Sequence, residues 1–123
     1  MVAIFCGNLA AGKPSTIYGG GEQTRDYVYV GDVAHANVLA LEEGASPGAY
    51  NVGTGTETSV NRLYELLKEI SEKDLPSEHG PAKPGELMRS TVDPTKAARV
   101  LGWHPQVGLA GGLKETLWFF GAI

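Results

Sequence analysis

The chain has 123 residues, of which 42% are hydrophobic and 20% charged, and it carries a net charge of −4 at pH 7. That composition excludes a disordered chain, and the length suffices for one domain with its own core but not for two. The acidic balance, with no local run of Lys or Arg to offset it, argues against nucleic acid and acidic membrane surfaces as partners.

Met1 to Phe5 has neither the basic start nor the cleavage site of a signal peptide, and no apolar run approaches the roughly 20 residues of a membrane span. The opening residues look like the inside of a helix with Val2, Phe5 and Leu9 on one face. We therefore expect a domain truncated at its N-terminus. Gly12 and Pro14 stop that helix. Cys6 is the single cysteine. It allows no internal disulfide, is expected to pack as a small hydrophobe, and fits a reducing, cytoplasmic setting.

Thr16-Ile17-Tyr18 is a short β-prone run, broken by Gly19-Gly20-Gly21. Tyr27-Val28-Tyr29-Val30 is aromatic and β-branched throughout and predicts a strand. Asp32 is placed to cap a following helix through Val33, Ala36, Val38 and Leu41, which Gly44 ends. Ala49-Tyr50-Asn51-Val52 predicts a second strand, parallel to the first. After a loop, Thr58 or Ser59 is expected to cap the most strongly patterned helix of the chain. Its stripe is Val60, Leu63, Leu67 and Ile70, with Glu69 and Lys73 in the favourable i,i+4 order.

Leu75 to Glu86 is polar, proline-rich and expected to be extended or looped. Asp93-Pro94 opens another helix through Ala97, Val100 and Leu101, closed by Gly102. Leu109, Leu113 and Leu117 predict a last helix, weakened by Gly111 and Gly112. Alternating strands and helices give an α/β class with a few strands, partly parallel, and about five helices. Two clear strands are few for a parallel sheet, so this chain is expected to own part of a sheet.

Three motifs are refused. Gly7 to Pro14 nearly spells the phosphate loop G-x-x-x-x-G-K-S/T, but Pro14 has no hydroxyl and no amide proton, and the segment follows a helix. Gly53-x-Gly55 starts like a dinucleotide fingerprint, but Thr58 stands where the third glycine belongs; it is read as a turn. Tyr64-x-x-x-Lys68 matches a catalytic Tyr/Lys pair in spacing alone and is read as part of an amphipathic helix. His35, His79 and His104 have neither a paired carboxylate nor metal-ligand spacing, so no metal is expected.

Thr16 to Asp32 reads T-I-Y-G-G-G-E-Q-T-R-D-Y-V-Y-V-G-D. Glycine lets a ligand approach the backbone, Arg25 can clamp a phosphate through two parallel hydrogen bonds, and Tyr18 can flank a base. From spacing alone a surface hairpin with a solvated Arg25 is preferred.

The same stretch resembles the segment T-x-Y-G-D/N-G-x-Q-x-R-D-Y/F/W-V/I-Y/H-V-x-D of extended short-chain dehydrogenases/reductases that act on nucleotide sugars. The resemblance continues through A-Y-N-V-G-T-G at 49–55, K-P-G-E at 83–86 and D-P-T-K-A-x-x-x-L-G-W at 93–103. It covers nearly the whole chain and corresponds to the C-terminal part of a member. The wording is nearest to UDP-glucose 4-epimerases, with dTDP-glucose 4,6-dehydratases and UDP-glucuronate epimerases as alternatives. It implies one nucleotide-sugar-binding domain over residues 1–123, without the doubly wound NAD-binding half.

By the resemblance, Arg25 grips the diphosphate, Tyr18 lies near the base and Glu86 takes the ribose hydroxyls. Asn51 matches an asparagine near the nucleotide; holding a turn is an equal role for it. Lys83 stands where many members have arginine, keeping the charge without the planar fork. Arg89 is a further candidate for the phosphates, or simply an exposed arginine. Gly20 replaces the usual Asp or Asn.

The implied partner is a UDP-sugar or related nucleotide sugar. NAD belongs to the full-length family rather than to this chain, where no catalytic residue is expected. The isolated chain is expected to be inactive. As an inactive fragment its expected partner is a separate NAD-binding half; its alternatives are a non-catalytic UDP-sugar-binding module and a structural remnant that self-associates.

Overall fold

A computed structural model describes residues 1–123. Nine elements follow one another: α1 (Val2–Ala10), β1 (Ser15–Tyr18), β2 (Thr24–Arg25), α2 (Val30–Leu41), β3 (Thr58–Ser59), α3 (Val60–Ser71), β4 (Ser77–Gly80), α4 (Thr95–Leu101) and α5 (Leu109–Phe119). The α/β expectation with five helices and few strands holds. The strands form two separate two-stranded sheets, β1 with β4 and β2 with β3. Neither is a doubly wound sheet.

The helix with the clearest stripe organises the core. Ser59 caps α3 by accepting the Arg62 amide at 3.1 Å, as expected of a serine at that position. Val60, Leu63, Tyr64 and Leu67 of α3 are buried against Phe5, Leu9, Ile17 and Leu117 from α1, β1 and α5. Each such aliphatic side chain contributes about 1.5–3 kcal/mol of burial. Tyr64 belongs to this core: its ring meets Phe5 edge-on at 5.1 Å. Its hydroxyl lies 3.2 Å from the Leu75 carbonyl and 3.3 Å from that of Pro76. Lys68 pairs instead with Asp74 at 2.6 Å. The Tyr64/Lys68 spacing is therefore structural. Cys6 is fully buried, and burial pushes its thiol up to about 11.

Four local expectations are corrected. Tyr27–Val30 and Ala49–Val52 are not strands. β-propensity describes a side chain suited to a pleated, half-buried surface, and a ladder still needs a partner, which this chain does not supply to either segment. The observed parallel pair is β1 with β4, in the register Ser15↔Ser77 to Tyr18↔Gly80.

Asp32 does not cap α2, which starts at Val30 with Tyr29 before it. Its buried carboxylate instead accepts the amides of Gln106 and Val107, both at 3.0 Å. Its carbonyl accepts the indole N–H of Trp103 at 2.8 Å. Trp103 packs there with Ala36 and Ala97 as a second small core. The Glu69–Lys73 pair does not form, because Glu72 turns left-handed at the end of α3 (φ 54). Lys73 then donates to the Leu9 carbonyl at the C-terminus of α1, at 2.9 Å, where a cation is favoured. Glu69 pairs with Arg62 at 3.1 Å.

Candidate functional site

The parallel β1–β4 pair and the turn after it build the site. Tyr18 ends β1, and Gly19 bends the chain away with φ +75. The Gly19 amide donates to the Gly80 carbonyl at 2.9 Å, fastening the bend to the end of β4. The chain then returns through Gln23 into β2, where Thr24 and Arg25 pair antiparallel with Ser59 and Thr58.

A cleft of about 360 Å³ opens beside this bend, with Ile17 and Val60 on its apolar floor and Tyr18, Gln23, Lys83 and Glu86 around it. The volume lies at the small end of the roughly 300–1,000 Å³ usual for ligand pockets. A second cleft of about 330 Å³, beside Tyr27 and Pro105, is lined by threonines but by no charged side chain.

Gln23 is the hinge of the polar wall and is 6% exposed. Its side-chain amide donates to the Tyr18 carbonyl at 3.0 Å and to Glu86 at 3.4 Å. Sequence reasoning gave it no role, although it is the glutamine of the motif at 16–32. Lys83 holds its ammonium 4.4 Å from the centre of the Tyr18 ring. A base stacking on that face has to displace the cation or take the opposite face.

Arg25 stands behind Glu86 rather than in the cleft wall. Its guanidinium lies 3.5 Å from the Glu86 carboxylate and donates to the carbonyls of Thr24 at 2.7 Å and Leu87 at 2.6 Å. The pair is loose and about 29% exposed on each side, so the guanidinium retains donors for a stronger anion. Two cations and one carboxylate make this corner locally positive in a chain of net charge −4. A pyrophosphate is attracted to such a spot.

The structure thus brings Tyr18, Arg25, Lys83 and Glu86 together. It leaves Asn51 exposed and outside the cleft lining. Arg89 is engaged elsewhere, in a two-point fork on Glu57 at 2.9 and 2.6 Å. That fork, with the Thr24 hydroxyl also donating to Glu57 at 2.8 Å, holds the Glu57 carboxyl down to about 2.

Neither the phosphate-loop near-match at Gly7 nor the fingerprint start at Gly53-x-Gly55 takes the form its spacing suggests. Gly7 lies inside α1. The Thr54 and Gly55 amides, which would face a phosphate, are already taken by the Asp26 carboxylate at 2.9 Å each.

The elements and their order are those of the C-terminal part of an extended short-chain dehydrogenase/reductase. Residues 2–116 match the family model described as GDP-mannose 4,6 dehydratase, and the chain belongs to that family of nucleotide-sugar epimerases and dehydratases. It is 45% identical over 121 residues to a UDP-glucose 4-epimerase of Mycolicibacterium smegmatis, covering 98% of this chain and 38% of that protein.

Among solved structures it resembles the Thermotoga maritima UDP-glucose 4-epimerase with UDP-glucose. The TM-score is 0.92 at 46% identity, over 97% of this chain and 38% of the other. It also resembles the Thermus thermophilus UDP-glucose 4-epimerase in complex with NAD, with TM-score 0.89 at 39% identity, over 99% of this chain and 40% of the other. The chain therefore spans about 38% of the length of its curated relative. No helix is long and apolar enough to cross a membrane.

Proposed function

We propose that this chain is the nucleotide-gripping portion of a UDP-glucose 4-epimerase-like isomerase. Such an isomerase oxidises and re-reduces the sugar at C4 with NAD, which is held outside this chain. Here Arg25 and Lys83 neutralise the diphosphate, Tyr18 flanks the base and Glu86 accepts from the ribose hydroxyls. Fixing the nucleotide in this way orients the attached sugar for chemistry performed elsewhere. The chain alone then turns over no nucleotide sugar.

One observation carries the reading: Tyr18, Lys83 and Glu86 line one cleft, and Arg25 is ion-paired to Glu86 at 3.5 Å. Titration calorimetry with UDP tests it. Micromolar binding that Arg25→Ala abolishes supports the grip, whereas absence of heat at millimolar UDP sinks it.

A second reading concerns assembly. Ile4, Val30, Trp118 and Phe119 are 64–78% exposed, on α1, α2 and α5. Large apolar side chains left this open favour packing onto another polypeptide, either a separate NAD-binding half or a second copy. A monodisperse monomer at high concentration in light scattering would argue against self-association.

A further inference from the structure

We infer that Glu57 and Arg89 form a positioning clamp that holds the arm bearing Lys83 and Glu86 in register with Arg25, and that Arg89 does not itself grip phosphate. The inference rests on the nucleotide-grip reading for its binding consequence and on geometry alone for its structural one. From the end of β4 at Gly80 to the start of α4 at Thr95 the chain has neither helix nor strand. Both Lys83 and Glu86 sit on that segment. Loops of this length without internal structure are uncommon and need tethers to adopt one conformation.

The tethers converge on β2 and the residue before β3. The Thr24 amide donates to the Met88 carbonyl at 2.8 Å, and Arg25 donates to the Leu87 carbonyl at 2.6 Å. One residue beyond Met88, Arg89 forks onto Glu57, whose carboxylate also accepts the Thr24 hydroxyl. Glu57 thus joins the arm, through Arg89, to the same strand that carries Arg25.

The fork matters more here than an ordinary surface ion pair. Arg89 is 79% exposed, and such pairs add little to global stability. Its planar, two-point geometry, however, fixes orientation as well as distance. Holding one loop in one register takes far less energy than holding a fold. The same geometry occupies the Arg89 donors that would otherwise be free for a phosphate.

The test compares Glu57→Gln, Arg89→Met and the double variant of the whole chain by amide hydrogen exchange and by calorimetry with UDP. The clamp predicts faster exchange at Thr24 and Glu86 in each single variant, with Leu67 and Leu117 in the core unchanged. The double variant should be no worse than either single one. Uniformly faster exchange across the core, or unchanged exchange at Thr24, overturns it.

For UDP the clamp predicts about fivefold weaker binding in both single variants, again without addition in the double. Tighter binding by Glu57→Gln would show that a released Arg89 grips phosphate and would overturn the assignment. Should the unaltered chain not bind UDP, the nucleotide-grip reading fails. The exchange pattern at Thr24 and Glu86 still decides the clamp.

Discussion

Asp26 holds Thr54 through three contacts: the Thr54 amide reaches both carboxylate oxygens, at 2.9 and 3.1 Å, and its hydroxyl donates to one of them at 2.6 Å. The Gly55 amide adds a fourth bond at 2.9 Å. Burial alone would push the Asp26 carboxyl up. The bonds from Thr54, Gly55 and Val92 outweigh it and hold the group below the ordinary carboxylate value. An internal carboxylate therefore fills the amide nest that the Gly53-x-Gly55 spacing offers, and it sits next to Arg25 in the chain.

Asp26→Ala should cost about 1.5–3 kcal/mol, because four donated bonds lose a charged acceptor. Asp26→Asn should cost less, since one acceptor oxygen stays. Denaturant unfolding at pH 7 measures both. The folded carboxyl titrates lower than the unfolded one, so its contribution is complete above the unfolded value of about 3.9. It is lost as pH falls through the lowered folded value. The acid limb of stability should therefore be shallower in Asp26→Asn than in the unaltered chain; identical limbs would refute the role.

Ser59 supplies the N-cap of α3, whose buried face is the main core. Ser59→Ala should destabilise by about 1 kcal/mol, and Ser59→Asp should retain most of the stability. Thermal unfolding followed by circular dichroism separates the two. Equal melting of both variants would mean that the cap is immaterial.

What the sequence discloses depends on how local the physics is. The stripe of α3, a hydroxyl cap at Thr58 or Ser59 and the glycine stop at Gly102 after α4 need only neighbours within a turn or two, and each is legible; the structure assigns the cap to Ser59 and gives Gly102 a left-handed φ of 66. The conformation of Tyr27–Val30 is not legible, because strand-forming residues do not reveal whether a partner strand exists. The role of Asp32 is not legible either, because its carboxylate serves amides 74 and 75 residues away. In the site, Tyr18, Arg25, Lys83 and Glu86 were reached through a resemblance, since spacing alone favoured a surface hairpin. Gln23 and Glu57 escaped, because their work is to hold other residues across gaps of 63 and 32 positions.

Gly21 and Gly20 should respond oppositely to substitution. Gly21 has φ +77, and an added Cβ would sit 1.9 Å from the Asn61 side-chain oxygen. Asn61 is anchored there, donating to the Gly20 carbonyl and to Glu22 at 2.9 Å each. Gly21→Ala should cost about 1–3 kcal/mol from backbone strain and lost bonds. Gly20 has open space around it, so Gly20→Asp should melt within a degree or two of the unaltered chain. A tolerated Gly21→Ala would contradict the geometry of the turn after Tyr18.

Cys6 is fully buried, with its thiol pushed up to about 11. Thiolate is the reactive form, so Cys6 should react with a disulfide reagent at pH 8 only as fast as the core opens. Denaturant should accelerate the reaction by orders of magnitude. Rapid labelling of the native chain would place Cys6 outside the α1–α3 core.

The most discriminating prediction concerns Glu86 and the ribose. If its carboxylate accepts from ribose hydroxyls, deleting the 2′-hydroxyl from the nucleotide and deleting the charge from Glu86 remove parts of one interaction. The unaltered chain should bind 2′-deoxy-UDP more weakly than UDP by roughly tenfold, the loss of one hydrogen bond to a charged group. Glu86→Gln should bind the two nearly alike, and the cycle should show the coupling directly. The variant has a second effect that must be separated: it also removes the partner of Arg25 at 3.5 Å. A guanidinium so released is a better clamp for diphosphate, so Glu86→Gln is expected to lose less affinity for inorganic pyrophosphate than for UDP. An equal loss on UDP, 2′-deoxy-UDP and pyrophosphate would assign Glu86 to holding Arg25 and remove the ribose from the site.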